Sequence, residues 1–429
     1  MTDTTPAVPP TVNSRRDHIF PTLTPAQVAR IALHGSVRQL RRGEVLIEAG
    51  DQVLPFFVVT TGRIEIVRSS GATETPVVTY GPREFTGEAT MFSGRRSLVR
   101  ARVAESGEAI EVKRDRLLAL VQVDPDISEV LLRAFILRRV ELIAQHLGDV
   151  VLVGSRHSPG TLRIREFLTR NGHPHAYVDL DLDADVQELL DRFHFAIGDI
   201  PVLICRGDAV LRNPTNQQIA DCLGFNDAID QTHLRDVVIV GAGPSGLAAA
   251  VYGASEGLDV LVLESNSPGG QAGSSSKIEN YLGFPTGISG QELAGRAYAQ
   301  AQKFGAQILI AKGATQLACD RKPYAIQIQD GPRVAARTVI VATGAEYRRP
   351  SLDNLSQFEG TGVYYGATRS HDDLAAAHWP LTRPPHLLET SLPGVFAVGD
   401  VRGGNIKRVA SAVGEGSIAV AFVHQVLHD

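Results

Sequence analysis

The chain has 429 residues, a length for which about two to four domains are expected. Its formal net charge of −5 and its hydrophobic share of 43% describe an ordinary soluble protein, without the charge bias that predicts binding to nucleic acid or to a membrane surface. No apolar run reaches the roughly 18 residues of a membrane span, and residues 1–19 lack the apolar core of a signal peptide. These features predict a cytoplasmic protein that begins with a short disordered arm.

Residues 20–148 alternate short strand-like runs with glycine turns. Within residues 40–67, apolar runs are separated at Gly43 and at the pair Thr61–Gly62, a pattern that predicts hairpins of a β-barrel. Residues 126–147 then carry apolar side chains at helical spacing, which predicts an amphipathic helix lying on the barrel.

Residues 85–103 bring together a glycine turn, a carboxylate and paired arginines, which suit a small anion that carries a sugar. Gly87-Glu88 and Arg96-Ser97 match the phosphate-binding cassette of the cyclic nucleotide-binding domain, which this segment resembles. The resemblance implies that Glu88 takes the ribose 2′-hydroxyl, that Arg96 pairs with the cyclic phosphate, and that cyclic AMP is the expected effector. The alternative is a jelly roll that keeps the fold and binds no ligand.

Residues 149–226 change to an α/β rhythm of strand, helix, strand, helix and two further strand-like runs. The order resembles the thioredoxin/glutaredoxin fold, and Ile200-Pro201 matches the position of its cis-proline. Where that family has C-x-x-C, this chain has Ser155 and Ser158, and serine cannot supply the thiolate of disulfide exchange. The resemblance therefore implies a redox-inactive spacer or docking module.

No metal site is predicted in this region, since its histidines have no carboxylate or cysteine at ligand spacing: His157, His173 and His175. The three cysteines, Cys205, Cys222 and Cys319, are widely separated, which excludes a local dithiol motif. A long-range disulfide stays open, although buried inert thiols are favoured in a cytoplasmic chain.

Residues 235–265 have the pattern of a strand, a glycine-rich turn, a helix and a second strand that ends in an acid. Gly241 permits the tight turn, Gly243 lets the backbone approach a pyrophosphate, and Gly246 lets helix and strand pack closely. Glu264 would accept a hydrogen bond from a ribose hydroxyl and repel a 2′-phosphate, which predicts FAD or NAD rather than NADP. The alternative is an ordinary βαβ crossover whose glycines serve packing alone.

From residue 227 onward the motifs G-x-G-x-x-G, G-G-Q, A-T-G and G-D occur in the order of the thioredoxin reductase family, whose FAD-binding domain this region resembles. The resemblance implies a cofactor site and no catalytic residue that can be named. The predicted FAD-binding residues are Gly241, Gly243, Pro244, Ser245, Gly246, Glu264, Gly270, Gln271, Asn280, Thr343, Gly344, Gly399, Asp400, Arg408, Val409 and Ala410.

The chain departs from that family in one large feature. The family inserts an NADPH-binding Rossmann domain, often with a C-x-x-C, where this chain has only a short bridge between about residues 368 and 391. A nucleotide-binding βαβ unit needs about 30 residues or more, and the sequence holds no second glycine fingerprint. NADPH is expected for the family, but its site is missing here.

The predicted fold class is multidomain α/β and β. It comprises a disordered arm at 1–19, a cyclic nucleotide-binding β jelly roll with helices at 20–148, a thioredoxin/glutaredoxin-like α/β domain at 149–226, and a Rossmann-type FAD-binding domain at 227–429.

The leading functional hypothesis is a cyclic nucleotide-regulated, FAD-dependent oxidoreductase of the pyridine nucleotide-disulfide type, impaired in NADPH oxidation. Its expected partners are the small-molecule effector and a disulfide or protein electron acceptor, and the resemblance allows a homodimer. One alternative is a cyclic nucleotide sensor with structural FAD and no turnover. A disulfide reductase using the distant cysteines is disfavoured by their spacing.

Overall fold

The computed structural model describes residues 13–52, 54–70, 73–88, 90–93, 95–144, 150–182, 199–205, 209–345, 381–403 and 405–428. The chain divides into two compact units, residues 1–145 and residues 146–429. The regions predicted as separate domains at 149–226 and 227–429 thus lie in one compact unit.

The first unit is built on a five-stranded antiparallel sheet with the order β1-β5-β3-β4, and β2 also pairs with β5. Its elements are α1 (Asn13–Ile19), α2 (Pro25–Ala32), β1 (Ser36–Leu40), β2 (Val45–Ile47), β3 (Phe56–Ser70), β4 (Thr73–Tyr80), α3 (Thr90–Ser93), β5 (Arg100–Val112), α4 (Arg114–Val123) and α5 (Pro125–Ala144).

The expected break at Thr61–Gly62 is wrong, because β3 runs through it as one strand of 15 residues. The register against β5 shifts on both sides of Thr61, and Gly62 adopts a φ of +79°. A β-bulge accommodates such a residue without ending the strand, whereas sequence reasoning took the same glycine for a turn.

Helix α5 covers the sheet as its apolar spacing predicts. Ile127, Leu131 and Phe135 are fully buried, and the Phe135 ring lies 6.1 Å from Phe85 and 5.3 Å from Phe92, measured between centroids. The same helix also buries Arg138, a charged residue in an otherwise apolar core.

The second unit begins with a four-stranded sheet of order β7-β6-β8-β9, in which β6 and β7 are parallel and the other pairs antiparallel. This is the strand arrangement expected for a thioredoxin-like fold, and the Ile200–Pro201 peptide bond is cis. The elements are β6 (Val150–Gly154), α6 (Pro159–Arg170), β7 (Ala176–Asp179), β8 (Val202–Cys205), β9 (Ala209–Arg212) and α7 (Asn216–Leu223).

A seven-stranded sheet follows, with parallel strands in the order β12-β11-β10-β15 and an antiparallel meander through β14 and β13; β16 pairs in parallel with β15. Its elements are β10 (Leu234–Val240), α8 (Pro244–Ser255), β11 (Val260–Glu264), α9 (Gly270–Gly273), α10 (Gly290–Lys303), β12 (Gln307–Ile310), β13 (Ala314–Ala318), β14 (Tyr324–Ile328), β15 (Arg333–Val341), β16 (Val395–Ala397), a 3-10 turn (Gly399–Val401) and α11 (Val409–His428). Gly270 and Gln271, expected in a loop, begin the short helix α9.

Helix α11 is long and apolar enough to cross a membrane by length and composition. Ala419, Val420 and Val423 are nevertheless buried in the main core of the second unit, together with the sheet residues Ile239 and Ile340. Packing inside the protein thus accounts for part of its apolar character, since 33% of the apolar stretch is buried.

Three sequence predictions lie outside the described residues. They are the second helix predicted within residues 149–226, which corresponds to residues 185–195, the junction of the two strand-like runs that follow it, and most of the bridge between about 368 and 391.

Candidate nucleotide sites

A cavity of about 520 Å³ lies at the carboxyl ends of the parallel strands β10, β11 and β15. The glycine fingerprint follows β10, Glu264 is the last residue of β11, and Thr343 and Gly344 follow β15. Parallel strands end at one edge of a sheet, so motifs far apart in sequence meet here, as in other dinucleotide-binding folds. The predicted residues that line the cavity are Gly241, Gly243, Pro244, Ser245, Glu264, Gly270, Gln271, Thr343, Gly344, Asp400, Arg408 and Val409.

The three glycines of the fingerprint have different structural roles. Gly241 has a φ of +104°, and a Cβ there would lie 2.4 Å from the carbonyl oxygen of Ala342. A Cβ on Gly246 would lie 1.9 Å from the carbonyl oxygen of Gly241, so both positions are needed for backbone packing. A Cβ on Gly243 would meet nothing nearer than Gly270 Cα at 3.9 Å. Gly243 therefore leaves an open face, as a residue that lets a pyrophosphate approach the start of α8 must do.

Glu264 organises the loops around the cavity as well as lining it. One carboxylate oxygen accepts a hydrogen bond from the Ala242 N–H at 2.7 Å, and the other accepts from Asn266 N–H at 2.8 Å and Ser267 N–H at 3.2 Å. Burial raises the pKa of Glu264, and these backbone donors oppose that rise. The ribose-binding role assigned from the sequence stays a prediction. The backbone contacts were not foreseen.

The Gly399–Asp400 turn is held by a residue that sequence reasoning missed. One carboxylate oxygen of Glu415, on α11, accepts the Gly399 N–H at 2.7 Å. Lys407 donates to the Asp400 carbonyl oxygen at 2.7 Å. A Cβ on Gly399 would lie 2.5 Å from Ser245 Oγ, so this turn packs directly on the start of α8. Glu415 is the one acidic residue in the sequence of α11, which is otherwise rich in small residues, and this isolated acid could have indicated a structural role.

Four predicted cofactor residues are not among those lining the cavity. Gly246 and Gly399 lie behind its wall, where their lack of a side chain permits close packing. Asn280 is exposed in the loop between α9 and α10, and Ala410 is exposed in the first turn of α11. Conversely, Arg170 lines the cavity although it belongs to the thioredoxin-like region.

The first unit has its own cavity, of about 840 Å³, between the sheet and α5. Gly87, Glu88 and Ser97 line it, as the cassette resemblance implies. Arg96 is not among the lining residues, and its buried Nε has no hydrogen-bond partner among the residues that the structure describes. Gly87 has a φ of +105°, which explains the requirement for glycine at the start of the cassette.

The buried guanidinium in this cavity belongs to Arg138. Arg138 is 5% exposed and donates to the carbonyl oxygens of Ile19 at 2.9 Å, Phe85 at 3.1 Å and Gly87 at 2.8 Å. Its Cζ lies 4.9 Å from the centroid of the Tyr80 ring, and its Nη2 is buried without a hydrogen-bond partner among the described residues. Burial lowers the pKa of Arg138, but a guanidinium stays charged in proteins. The cavity therefore contains a positive group suited to an anionic ligand.

Glu88 faces helix α5 as well. Its carboxylate lies 3.6 Å from Arg139 Nη1, and the two side chains are only 13% and 12% exposed. Two consecutive residues of α5, Arg138 and Arg139, thus contact the cassette at Gly87 and Glu88. A ligand that engages Glu88 would act directly on a contact of this helix.

Comparison with known proteins matches one family model in each of the two units. Residues 37–124 match the model of the cyclic nucleotide-binding domain, and residues 235–379 match the model of the pyridine nucleotide-disulphide oxidoreductases. The chain therefore contains a segment that matches each of these two family models, one after the other along the sequence. The second of these segments is similar to thioredoxin reductases.

Thioredoxin reductase of Bacillus subtilis (strain 168) is 37% identical over 139 residues, which cover 32% of this chain and 43% of that protein. Thioredoxin reductase of Treponema pallidum (strain Nichols) is 43% identical over 134 residues, covering 31% of this chain and 43% of that protein. The chain thus spans less than half the length of these relatives. The crystal structure of Lactococcus lactis thioredoxin reductase superposes with a TM-score of 0.39 at 20% identity, covering 45% of this chain and 99% of that one.

Proposed function

We propose that the cavity at the carboxyl ends of β10, β11 and β15 binds FAD. The observation that carries this proposal is the open face of Gly243 beside the start of α8, with Glu264 at the neighbouring strand end. The glycine turn would receive the pyrophosphate, Glu264 the ribose, and Asp400 the ribityl chain, with Arg408 and its neighbours against the ring system. When bound, FAD would supply reversible two-electron chemistry.

The activity that we propose is flavin-dependent electron transfer, impaired with NADPH as donor. Hydride transfer requires a nicotinamide held against the flavin, and the sequence offers one glycine fingerprint and too short a bridge for a second nucleotide-binding domain. The electron acceptor would be a disulfide or another protein, the protein would act in the cytoplasm, and the family resemblance allows a homodimer. A disulfide reductase using Cys205, Cys222 and Cys319 is disfavoured by their spacing.

The first unit would regulate this activity by binding a cyclic nucleotide, with cyclic AMP as the expected effector. This proposal is supported by the cavity that Gly87, Glu88 and Ser97 line and by the buried positive charge of Arg138. Arg96 would pair with the cyclic phosphate by the family resemblance, which would require it to turn toward the cavity.

The second candidate function is a sensor in which FAD is structural and the output is partner binding. It is favoured by the same short bridge, since a bound flavin without a donor site has no evident route to turnover. The two candidates differ in whether any acceptor is reduced and whether cyclic AMP changes that rate.

The visible spectrum of the purified chain, before and after addition of FAD, tests the cofactor proposal directly. A flavin spectrum is expected, and a folded, colourless protein that does not bind added FAD would refute the proposal. Anaerobic mixing with NADPH should leave the flavin oxidised for minutes, whereas dithionite should bleach it at once. Rapid bleaching by NADPH would contradict the proposed impairment.

A further inference from the structure

The thioredoxin-like region packs against the dinucleotide-binding sheet as part of one hydrophobic core. Phe167 of α6 and Phe225, which follows α7, stack with ring centroids 6.1 Å apart. Both belong to the same buried cluster as Val237 and Ile239 of β10 and Val262 of β11. The region that has lost its redox motif is therefore joined to the sheet that forms the nucleotide cavity.

Polar contacts fix this region to the loops at the edge of the cavity. Asn226 forms a reciprocal pair with the Ile310 backbone, donating to its carbonyl oxygen at 2.9 Å and accepting its N–H at 2.7 Å. Asn216 donates to the side-chain oxygen of Asn266 at 2.9 Å. Asn266 itself donates its N–H to Glu264. Asn266, in the loop after Glu264, is thus held through its side chain by the thioredoxin-like region and through its backbone by Glu264.

Arg170, the last residue of α6, extends from this region into the cavity. Its Nη2 donates to the Gly270 carbonyl oxygen at 2.7 Å, and Nη1 lies 3.4 Å from the exposed Glu166. The side chain is 15% exposed, and its Nε is buried without a hydrogen-bond partner among the residues that the structure describes. The Nε itself has almost no accessible surface, so Arg170 offers the cavity that it lines its positive charge and the Nη1 group, which within the described part of the chain is held only by the long contact to Glu166.

We propose that Arg170 binds the adenosine diphosphate half of the dinucleotide, so that the thioredoxin-like region completes the cofactor site. The inference rests on the proposed function, in which this cavity holds FAD. The adenosine half is assigned because Arg170 lines the same cavity as Glu264, the proposed ribose ligand at the end of the second strand, and bonds Gly270, which packs on Gly243 of the fingerprint. Diphosphate and ribose oxygens are the acceptors that a guanidinium suits.

With this assignment, the thioredoxin-like region would help to bind the cofactor, a function that needs no disulfide chemistry. Arg170 also holds the Gly270 carbonyl, and Gly270 packs on Gly243, with 3.0 Å between Gly243 Cα and the position of a Gly270 Cβ. The same side chain would therefore set the turn that faces the glycine fingerprint and contact the ligand.

The test uses the full chain freed of flavin, in three variants: Arg170→Gln, Arg170→Lys and the control Arg165→Gln. Arg165 lies on the same helix and is exposed, so its change removes an equal charge outside the cavity. Titration of FAD, followed by flavin fluorescence, should show affinity weakened roughly tenfold to a hundredfold in Arg170→Gln and within about twofold of the wild type in the control. Arg170→Lys should fall between them, because the ammonium keeps the charge but lacks the separate nitrogens by which the planar guanidinium fork reaches the Gly270 carbonyl and a ligand at once.

ADP competition and thermal unfolding of the flavin-free proteins separate ligand contact from a purely structural role. Arg170→Gln should lose affinity for ADP as well as FAD while its unfolding temperature stays close to that of Arg165→Gln. If Arg170→Gln does not fold, Arg170→Lys decides, and an affinity equal to the wild type would overturn the inference. A wild-type chain that binds neither FAD nor ADP would instead refute the proposed function. FAD binding that is equal in all variants would refute the role of Arg170 alone.

Discussion

Gly243 and Gly246 lie in the same turn but have different surroundings. We expect Gly246→Ala to lower the free energy of unfolding by about 1–3 kcal/mol, because its Cβ would overlap the Gly241 carbonyl and the backbone would have to shift. Gly243→Ala should change stability by less than about 0.5 kcal/mol, because its Cβ would enter open space. It should instead weaken FAD binding by roughly tenfold, since the methyl group occupies the space of the ligand.

Urea unfolding of the flavin-free protein and FAD titration measure the two effects separately. Gly295→Ala is a matched control, since Gly295 lies within α10 and a Cβ there meets nothing within 4 Å. That change should stabilise the helix by about 0.5–1 kcal/mol and leave FAD affinity unchanged. Unaltered FAD affinity in Gly243→Ala would contradict the proposed position of the pyrophosphate.

Arg138 connects three backbone carbonyls inside the first unit. Arg138→Met should lower the free energy of unfolding by about 2–4 kcal/mol, because the carbonyls of Ile19, Phe85 and Gly87 would lose their donor. The same variant should bind cyclic AMP more weakly, since the buried positive charge of the cavity is lost.

Chemical denaturation and isothermal titration with cyclic AMP measure these two losses. Arg133→Gln serves as the comparison, because Arg133 lies on the same helix with its side chain 48% exposed. Wild-type affinity in a folded Arg138→Met protein would show that this guanidinium does not serve the ligand.

The residues that line the two cavities differ in how far their positions could be predicted from the sequence. Gly241, Gly243 and Glu264 belong to a local pattern with fixed spacing, so their meeting at one edge of the sheet followed from the strand-turn-helix order. Arg138 and Arg170 act on residues far away in the chain, and a charged residue in an amphipathic helix is normally expected to face solvent. Only the three-dimensional packing shows that both are buried beside a cavity.

The segment that leads into β16 is fixed by an ion pair. Both carboxylate oxygens of Glu389 bond Arg383, at 2.8 Å and 3.1 Å, and Glu389 also accepts the N–H groups of His386 and Gly394, each at 2.7 Å. Burial by itself would raise the pKa of Glu389, but these donors together hold it below the ordinary glutamate range. The far end of the short bridge is thus anchored to the strand that precedes the Gly399–Asp400 turn.

A lowered pKa in the folded state gives stability that is present above the unfolded pKa and is lost as the pH falls through the folded value. We expect Glu389→Gln to be less stable than the wild type by about 2–4 kcal/mol at pH 7, because Arg383 loses its carboxylate. The difference should shrink below about pH 4.3, where Glu389 of the unfolded chain begins to bind a proton, and should be lost as the pH falls through the lower pKa of the folded state. Denaturation curves between pH 3 and pH 7 measure it, and a difference independent of pH would contradict the ion pair.

At the scale of elements, periodicity predicted most helices and strands but not how strands behave at glycines. The helix over 126–147 and the strand-turn-helix at 235–265 are present as α5 and as β10 with α8. Thr61–Gly62 was misread, because a glycine with positive φ fits a bulge as well as a turn and only the pairing with β5 distinguishes them. The G-G-Q motif forms a helical turn too short for any periodic signal.

At the scale of the whole molecule, the cavity beside the cassette and the cavity at the strand ends lie in different compact units of one chain. Helix α5, which contacts the cassette through Arg138 and Arg139, ends at Ala144, and β6 of the second unit begins at Val150. A ligand that shifts α5 would therefore act on the last described element of the first unit. The proposed regulation would then be a coupling between the binding of a cyclic nucleotide and the binding of FAD.

Such coupling is reciprocal, which gives the proposed regulation a quantitative test. If cyclic AMP changes the FAD dissociation constant by some factor, FAD must change that of cyclic AMP by the same factor. We expect a factor of about five or more, measured by fluorescence titration of FAD and by calorimetry of cyclic AMP. Glu88→Gln, which removes the charge that faces Arg139, should reduce both effects together. A factor of one in both directions, with each ligand bound, would mean that the units bind independently, and the first unit would then act only by recruiting a partner.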